Sequence, residues 1–242
     1  MKCEFSETQF VFGIMKELAD RWWTTGRGWK APNFPTQRQE KELGYDVKIK
    51  GAVRTLFFQF KVPEKKITSK GKYWTIFGGS YYEFQIWPDD TTHQHNELVT
   101  LANSDPRDKV YYCSPGFHTN DEFEENYSQK TISKKSIYVP CKTLPKISGN
   151  AKHSISYTIE PVRKYKMHSD EFSIEAFDIE ELEADIENAD SYENVHECLI
   201  HIAEKFSIDI RNVDNDIKMY DEIANYLVMN NNLFMILLGE CQ

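Results

Sequence analysis

The segment that most constrains the fold is an apolar run, Leu56–Val62, interrupted by two polar residues, Gln59 and Lys61. Five of its seven residues are apolar, which favours a buried strand. Successive side chains on a strand point to opposite faces, so Gln59 and Lys61 share one face. Burying an amide and an ammonium group is costly unless each has a partner. The segment therefore predicts a core strand whose polar residues have a role beyond packing.

A hairpin is predicted over Gly44–Lys61, GYDVKIKGAVRTLFFQFK. It is interpreted as two strands joined by a tight turn, with Asp46 at the start of the first strand. Gln59 and Lys61 lie near the end of the second strand. Pairing of the two strands would bring the aspartate across from this polar pair.

An amphipathic helix is predicted over residues 6–23, because apolar residues recur there at helical spacing. Ser6 is a suitable N-cap, and Glu7 in the first turn complements the helix dipole. Glu7 also lies on the apolar side of the helix. A dipole-complementing role and a functional role for this carboxylate both remain open.

The rest of the chain predicts a mixed α/β core followed by helices. Strands are predicted at 73–77, 81–87, 108–115 and 131–140, with an edge strand at 154–160. A crossover helix is predicted over 93–104, and C-terminal helices over 178–188, 191–206 and 216–238. The predicted fold class is α/β, a mixed sheet flanked by helices with a C-terminal acidic helical domain.

The charge divides the chain in two. Residues 1–168 hold 26 Lys and Arg against 19 Asp and Glu, whereas residues 169–242 hold 3 against 19. The net charge of −9 is thus the sum of +7 and −16. We expect two domains with this boundary, the first suited to a polyanionic partner and the second an acidic helical domain.

Composition also bounds the cellular setting. The five cysteines are scattered and never in CxxC spacing, which argues against a disulfide framework and a zinc cluster. No run approaches the ~20 apolar residues of a membrane span. The N-terminus lacks the apolar core of a signal peptide. A cytoplasmic protein with no membrane association is expected.

The order of helix, hairpin, crossover helix and strand, with these polar residues, resembles the PD-(D/E)xK nuclease superfamily, which has the restriction-endonuclease-like fold. Tyr45 and Asp46 match the PD element, and Gln59-Phe60-Lys61 matches the (D/E)xK element. The resemblance covers roughly residues 4–140 by element order. The sequence that flanks the motifs is similar to that of nuclease modules of bacterial defence proteins.

The resemblance implies a metal-dependent endonuclease that hydrolyses DNA, in bacterial antiviral defence. A divalent ion, Mg²⁺ or Mn²⁺, neutralises developing charge and lowers the pKa of a bound water. Mg²⁺ prefers oxygen ligands, and the implied ligands are the side chains of Asp46, Gln59 and Glu7 and the carbonyl of Phe60. Lys61 would orient the attacking water or stabilise the transition state. The implied catalytic residues are Asp46, Gln59, Lys61 and Glu7.

Gln59 departs from the family pattern, which has an acidic residue at this position. Its amide oxygen can ligate a metal ion but carries no charge, so we expect weaker metal binding. Glu7 then becomes more important as a compensating carboxylate. The departure leaves open whether the site is active.

Two basic and aromatic sets are candidates for nucleic-acid binding, since cations contact phosphates and aromatic rings stack on bases. The first set consists of Lys65, Lys66, Lys70 and Lys72, for which a solvated hairpin tip is an equally good interpretation. The predicted contact residues are Lys65, Lys66, Lys70, Lys72, Arg27 and Lys30.

Three alternatives remain. Gln59 and Lys61 could form the solvent face of an antiparallel strand. The chain could be an inactive subunit that keeps the nuclease fold and binds DNA or serves as a scaffold. It could also act through its acidic tail, which would bind a protein partner, form a homo-oligomer or shield the basic part.

Overall fold

The structure is a computed structural model that describes residues 1–24, 27–29, 49–69, 73–86, 93–149, 152–159, 163–168, 174–213 and 215–241. Its helices are α1 (Glu7–Thr24), α2 (Trp74–Phe77), α3 (Gln94–Ser104), α4 (Asn120–Gln129), α5 (Ile179–Glu187), α6 (Val195–Lys205) and α7 (Asp216–Asn231). Its strands are β1 (Arg27–Trp29), β2 (Ile49–Phe60), β3 (Glu64–Lys66), β4 (Tyr81–Ile86), β5 (Asp108–Pro115), β6 (Ser136–Pro140), β7 (His153–Thr158), β8 (Lys164–His168) and β9 (Phe234–Cys241). A mixed sheet flanked by helices confirms the predicted α/β class.

Strand β2 is the centre of a five-stranded sheet in the order β1-β9-β2-β5-β6. It runs parallel to β5 and antiparallel to β9. Both of its faces are covered: Val53 and Phe57 belong to one core cluster, Phe58 and Phe60 to the other, and all four are 0% exposed. A strand buried on both faces reads as a nearly continuous apolar run. The solvent-face interpretation of Gln59 is therefore wrong.

The predicted hairpin over residues 44–61 is also wrong. Ile49–Phe60 is one strand of 12 residues, with Gly51 inside it. The pairing with β9 shifts register between Ile49 and Val53, an irregularity that accommodates a glycine within a strand. Asp46 lies outside the described residues.

Helix α1 confirms the amphipathic prediction and covers one face of the sheet. The Ser6 hydroxyl accepts a hydrogen bond from the Gln9 backbone N–H at 3.1 Å, and the Gln9 side chain accepts one from the Ser6 backbone N–H at 3.0 Å. This reciprocal capping box sets the start of the helix. The Phe10 ring then meets the Phe60 ring at 5.9 Å between centroids. Glu7 is thereby placed near the end of β2.

Helix α3, which confirms the predicted crossover helix, covers the opposite face. Its buried residues include Leu98, Val99 and Leu101, which share a core cluster with Phe57 and Tyr112. It leads into β5, which lies beside β2 in parallel. A helix linking two parallel strands of one sheet is the usual way to connect them.

A second, antiparallel sheet has the order β3-β4-β7-β8. Phe84 and Tyr157 of this sheet belong to the same core cluster as Phe57 of β2, so the two sheets share a core. Two predictions fail here. Residues 74–77 form a helical turn rather than a strand, and β7 is an inner strand rather than an edge, because β8 pairs with it.

The acidic C-terminal part is not a separate domain. Its helices α5, α6 and α7 lie close to the predicted positions, but the last predicted helix ends at Asn231. Asn232 takes a left-handed conformation and β9 follows, pairing with β1 on one side and β2 on the other. Residues 174–241 therefore share the core of the first part, which contradicts the predicted domain boundary.

Ion pairs between the basic first part of the chain and its acidic C-terminal part balance the charges of the two parts. Among the described residues, acidic groups of the C-terminal part meet basic groups of the first part, and Lys205 pairs in the opposite sense. The pairs are Arg21–Glu183, Lys109–Asp185, Arg107–Glu197, Arg163–Asp178 and Lys205–Asp108. The acidic helices thus neutralise basic residues of the sheet and of α1.

Two expectations from the composition concern membrane spans and cysteines. Among the described residues, no helix combines the length and apolarity that crossing a bilayer requires. Cys3, Cys113, Cys141 and Cys198 are free thiols.

Candidate active site

Lys61 lies immediately after β2, at the end where the two parallel strands stop. Its backbone N–H donates to the Cys113 carbonyl at 2.9 Å, which holds the residue beside β5. The side chain is half-buried, and its Nζ lies 3.5 Å from the amide oxygen of Gln94, a long contact. Burial lowers the pKa of Lys61 below the ordinary lysine value of 10.5, and the negative charge of Glu7 opposes that shift. The ammonium group is thus desolvated without a close counter-charge among the described residues.

Glu7 approaches Lys61 from the first turn of α1. Its carboxylate accepts a hydrogen bond from the Asn232 side chain at 3.2 Å. Asn232 is the left-handed residue that ends α7. The N-terminal helix and the start of β9 therefore meet beside Lys61, and Glu7 is held there by a neutral partner.

Gln59 is completely buried beside this pair. It is 0% exposed, and neither its amide nitrogen nor its amide oxygen has a hydrogen-bond partner among the described residues. It points to the face that holds Phe57, whereas α1 packs on the face that holds Phe60. An unsatisfied buried amide costs about 1–3 kcal/mol. Such a group in a native structure calls for an explanation, such as a bound water, an ion or a functional role.

Gln94 and Asn231 complete the polar set and were missed by the sequence prediction. The Gln94 amide donates to the Asn231 carbonyl at 2.9 Å while its oxygen faces Lys61. The Asn231 side-chain oxygen is buried without a partner in the described part of the chain. No local pattern marks these residues, because α3 and the end of α7 meet only in the folded chain.

The other predicted site residues have different environments. Phe60 has its ring in the core, 5.2 Å from the Phe234 ring, so only its main-chain carbonyl can act as the predicted ligand. Lys66 forms salt bridges with Glu64 at 2.8 Å and Glu83 at 3.1 Å. These pairs compete with any phosphate contact by Lys66.

Lys65, next to it, makes no such pair with the described residues. Its ammonium lies 5.5 Å above the Tyr82 ring. Arg27 is described only as part of β1, in register with Glu240. The remaining predicted residues, which lie outside the described part of the chain, are Asp46, Lys30, Lys70 and Lys72.

The predicted metal centre is not formed by the described residues alone. Within them, no group of three or more His, Cys, Asp or Glu side chains is placed to hold a metal ion. Glu7 is the described carboxylate of the predicted set, and Gln59 supplies a buried neutral oxygen. Mg²⁺ is usually bound through one or two carboxylates with waters and substrate phosphates. Glu7 supplies one such carboxylate, and the second carboxylate of the predicted set, Asp46, lies outside the described residues.

No protein family, curated protein or solved structure matches the chain with significant similarity. Function is therefore inferred from the site itself. The charge of Glu7 acts on the desolvated ammonium of Lys61, and the unpaired amide of Gln59 is buried two residues earlier in the chain. These groups lie where the parallel strands β2 and β5 end, the edge at which α/β sheets commonly bind ligands.

Proposed function

We propose that the protein is a nuclease that hydrolyses phosphodiester bonds of DNA and requires Mg²⁺ or Mn²⁺. The observation that carries the proposal is Lys61, a desolvated ammonium at the end of the central strand with Glu7 beside it. A half-buried cation that forms no salt bridge with the neighbouring carboxylate can bind a further anion, and a scissile phosphate supplies one. Cytoplasmic action and a role in bacterial antiviral defence are part of the proposal and rest on the resemblance to the nuclease superfamily.

Lys61 has a defined task in this reaction. Negative charge grows on the phosphoryl oxygens as the phosphodiester is attacked, and a fixed cation in a poorly solvated site stabilises that charge most strongly. Glu7 helps to keep Lys61 protonated, because its negative charge opposes the effect of burial. The metal ion, when bound, neutralises phosphate charge and activates water.

The test compares the natural protein with Lys61→Ala on plasmid and linear DNA, with Mg²⁺ or Mn²⁺ and with EDTA. We expect Lys61→Ala to reduce cleavage about 100-fold or more, the usual effect of removing one stabilising group from a transition state. Lys16→Ala is the matched control, since Lys16 is an exposed lysine paired with Asp20 on α1. Cleavage that is equal in Lys61→Ala, or absent from the natural protein, contradicts the proposal.

A second candidate is a DNA-binding subunit of the same fold without catalysis. The buried, neutral Gln59 favours it, because the amide brings no charge to a metal ion. DNA binding by the natural protein, with no cleavage under any metal condition, would select this candidate.

A third candidate, assembly through the C-terminal helices, is favoured by apolar side chains exposed on α7. Met229 is 72% exposed, and Ile217 and Tyr226 are about two-fifths exposed. Light scattering of the natural protein and Met229→Glu separates a homo-oligomer from a monomer. A monomer in both would leave only a different protein partner for these exposed side chains of α7.

A further inference from the structure

Gln94, the first residue of α3, lies between the end of β2 and the end of α7. Its amide oxygen lies 3.5 Å from the Nζ of Lys61, and its amide nitrogen donates to the Asn231 carbonyl oxygen at 2.9 Å. Asn231 is the last residue of α7, and Lys61 follows the last residue of β2. One partly buried side chain therefore connects the lysine of the candidate site to the C-terminal part of the fold.

The amide of Gln94 can satisfy both neighbours in only one orientation. A carbonyl oxygen only accepts hydrogen bonds, and a lysine ammonium group only donates them. The amide nitrogen must therefore face Asn231, which leaves the amide oxygen for Lys61. A reversed amide would place two oxygens together at Asn231 and two donors together at Lys61. The carbonyl of Asn231 thus fixes an acceptor beside Lys61.

The first turn of α3 is itself fixed to other parts of the fold. The Nδ1 of His95 lies 3.0 Å from the Tyr112 hydroxyl of β5, and its Nε2 lies 2.9 Å from the Pro145 carbonyl oxygen. The Asn96 amide donates to the Ile147 carbonyl at 2.7 Å and accepts from the Ile147 N–H at 2.9 Å. Both residues thereby attach the turn to the sheet and to the segment after β6. The acceptor beside the lysine is presented from a rigid element.

Lys61 depends on this acceptor for its position. Its Nζ forms no salt bridge with the described carboxylates, and the carboxylate of Glu7 is bonded by Asn232 instead. A lysine side chain is a flexible four-carbon stem, so a fixed acceptor restricts where its ammonium group lies. The contact of 3.5 Å is long. Contacts in active sites are often long before the substrate binds and shorten in the complex.

We propose that Gln94 is a positioning residue, whose amide oxygen holds the Lys61 ammonium group at the end of β2, where the scissile phosphate binds. The inference rests on the proposed function, since it assigns the group that orients Lys61 for that phosphate. A purely structural role would be to join α3 to α7. The two roles use different atoms, because the structural link uses the amide nitrogen and the positioning role uses the amide oxygen.

Two variants of the full chain separate these roles. Gln94→Met and Gln94→Glu both lose the donor to the Asn231 carbonyl, but only Gln94→Glu keeps an oxygen for Lys61. Acetylation of Lys61 by acetic anhydride, without DNA and at one fixed pH, is followed by mass spectrometry relative to the exposed Lys134. We expect acetylation about fivefold faster in Gln94→Met, since one weak hydrogen bond to the amine is lost. Gln94→Glu should be acetylated no faster than the natural protein.

Asn96→Ala is the matched control, because it removes both bonds to Ile147 from the same turn and leaves Gln94 in place. It should leave the acetylation of Lys61 unchanged. Equal acceleration in Gln94→Met and Gln94→Glu, or acceleration in Asn96→Ala, would indicate general loosening of α3 and overturn the proposal. No acceleration in Gln94→Met would also overturn it. Circular dichroism checks the folding of each variant, and Gln94→Ala replaces Gln94→Met if the latter does not fold.

DNA cleavage supplies the second measurement. We expect Gln94→Met to lower kcat about 10-fold with little change in KM, because a misplaced group loses much of its effect on the transition state. Gln94→Glu should keep most of the activity. In the Lys61→Ala background, Gln94→Met should cause no further loss, and an equal loss in both backgrounds contradicts the proposal. Absence of cleavage from the natural protein rejects the nuclease, whereas the order of acetylation rates still decides whether Gln94 holds Lys61.

Discussion

The two ends of the paired strands β2 and β5 both bury polar side chains, yet they differ in how those side chains are satisfied. At the end where β5 begins, Asp108 is fully enclosed and accepts hydrogen bonds from the Tyr192 hydroxyl at 2.9 Å and Lys205 at 2.5 Å. At the end where β2 stops, Gln59 is equally enclosed and has no partner among the described residues. The same two strands therefore carry a paired end and an unpaired end.

The paired end has the features of a structural network. Asp105 is bonded by the Arg107 guanidinium, which lowers the pKa of that carboxyl to about 2. Thr55, in register with Asp108, shares a hydrogen bond with the Cys198 thiol at 3.0 Å. Buried charges persist when each is paired and hydrogen-bonded. This network attaches α6 to the sheet.

The unpaired end has no such network. Lys61 has only a long contact to Gln94, and the side-chain oxygen of Asn231 has no partner among the described residues. The paired end also has one unsatisfied atom, the Nε2 of His201, so the two ends differ in degree, and the unsatisfied amide groups of Gln59 and Asn231 lie at the end that holds Lys61. The difference locates the candidate site better than residue identity does, since both ends contain carboxylates and lysines.

The largest expected effect concerns the paired end. Asp108→Ala leaves Lys205 without its buried counter-charge and removes the acceptor of the Tyr192 hydroxyl. We expect a loss of about 3–5 kcal/mol in the free energy of unfolding, measured by urea denaturation. Asp209→Ala, at an exposed carboxylate bonded to Arg211, serves as the control and should have no measurable effect. An equal free energy of unfolding in the two variants would show that the network does not stabilise the fold.

A smaller effect, of opposite sign, is expected at the unpaired end. Gln59→Leu replaces an unsatisfied amide by an apolar group of similar size, and should raise stability by about 1–3 kcal/mol. It should also remove most DNA cleavage, if the amide serves the reaction. Thr55→Val, on the same strand, breaks a satisfied bond and should lower stability by about 1 kcal/mol. A loss of stability in Gln59→Leu would mean that the amide has a partner in solution.

The smallest effect is a shift in pH dependence. Burial favours the neutral form of Lys61, so its proton is lost at a lower pH than the ordinary lysine value of 10.5. Cleavage that needs the ammonium group should therefore decline as pH rises through that lowered pKa. Glu7→Gln removes the charge that opposes burial, and the decline should move to still lower pH. A pH profile of kcat/KM checks this, and an unmoved decline in Glu7→Gln would separate Glu7 from Lys61.

Local pattern was sufficient for several elements of the fold. The apolar spacing of α1 and its Ser6 cap predicted a helix that the structure confirms, because such a stripe is specific to the helical period. The run at 108–115, which ends at Pro115, predicted the buried strand β5. The resemblance implied a site with both Lys61 and Glu7, and the charge of Glu7 opposes the effect of burial on the Lys61 pKa.

Periodicity failed where burial is complete. The run from Leu233 to Leu238 is continuously apolar, and such a run does not distinguish a helix from a strand buried on both faces. It was predicted as helix and forms β9, beside β2. The predicted hairpin over Gly44–Lys61 contains Gly51, yet the strand continues through this residue. In both places the neighbouring strands decided the conformation.

The sequence by itself determined which residues could be buried and which polar residues would be conspicuous there. Gln59 and Lys61 stand out in an apolar run whatever the fold, because the cost of burying them is a property of the side chains. Only the tertiary structure decided which of them find partners. Gln94 reaches the site from α3. Asn231 and Asn232 reach it from the end of α7, because β9, which follows them in the chain, pairs with β2. Satisfaction of a polar group depends on neighbours distant in sequence, which no local pattern encodes.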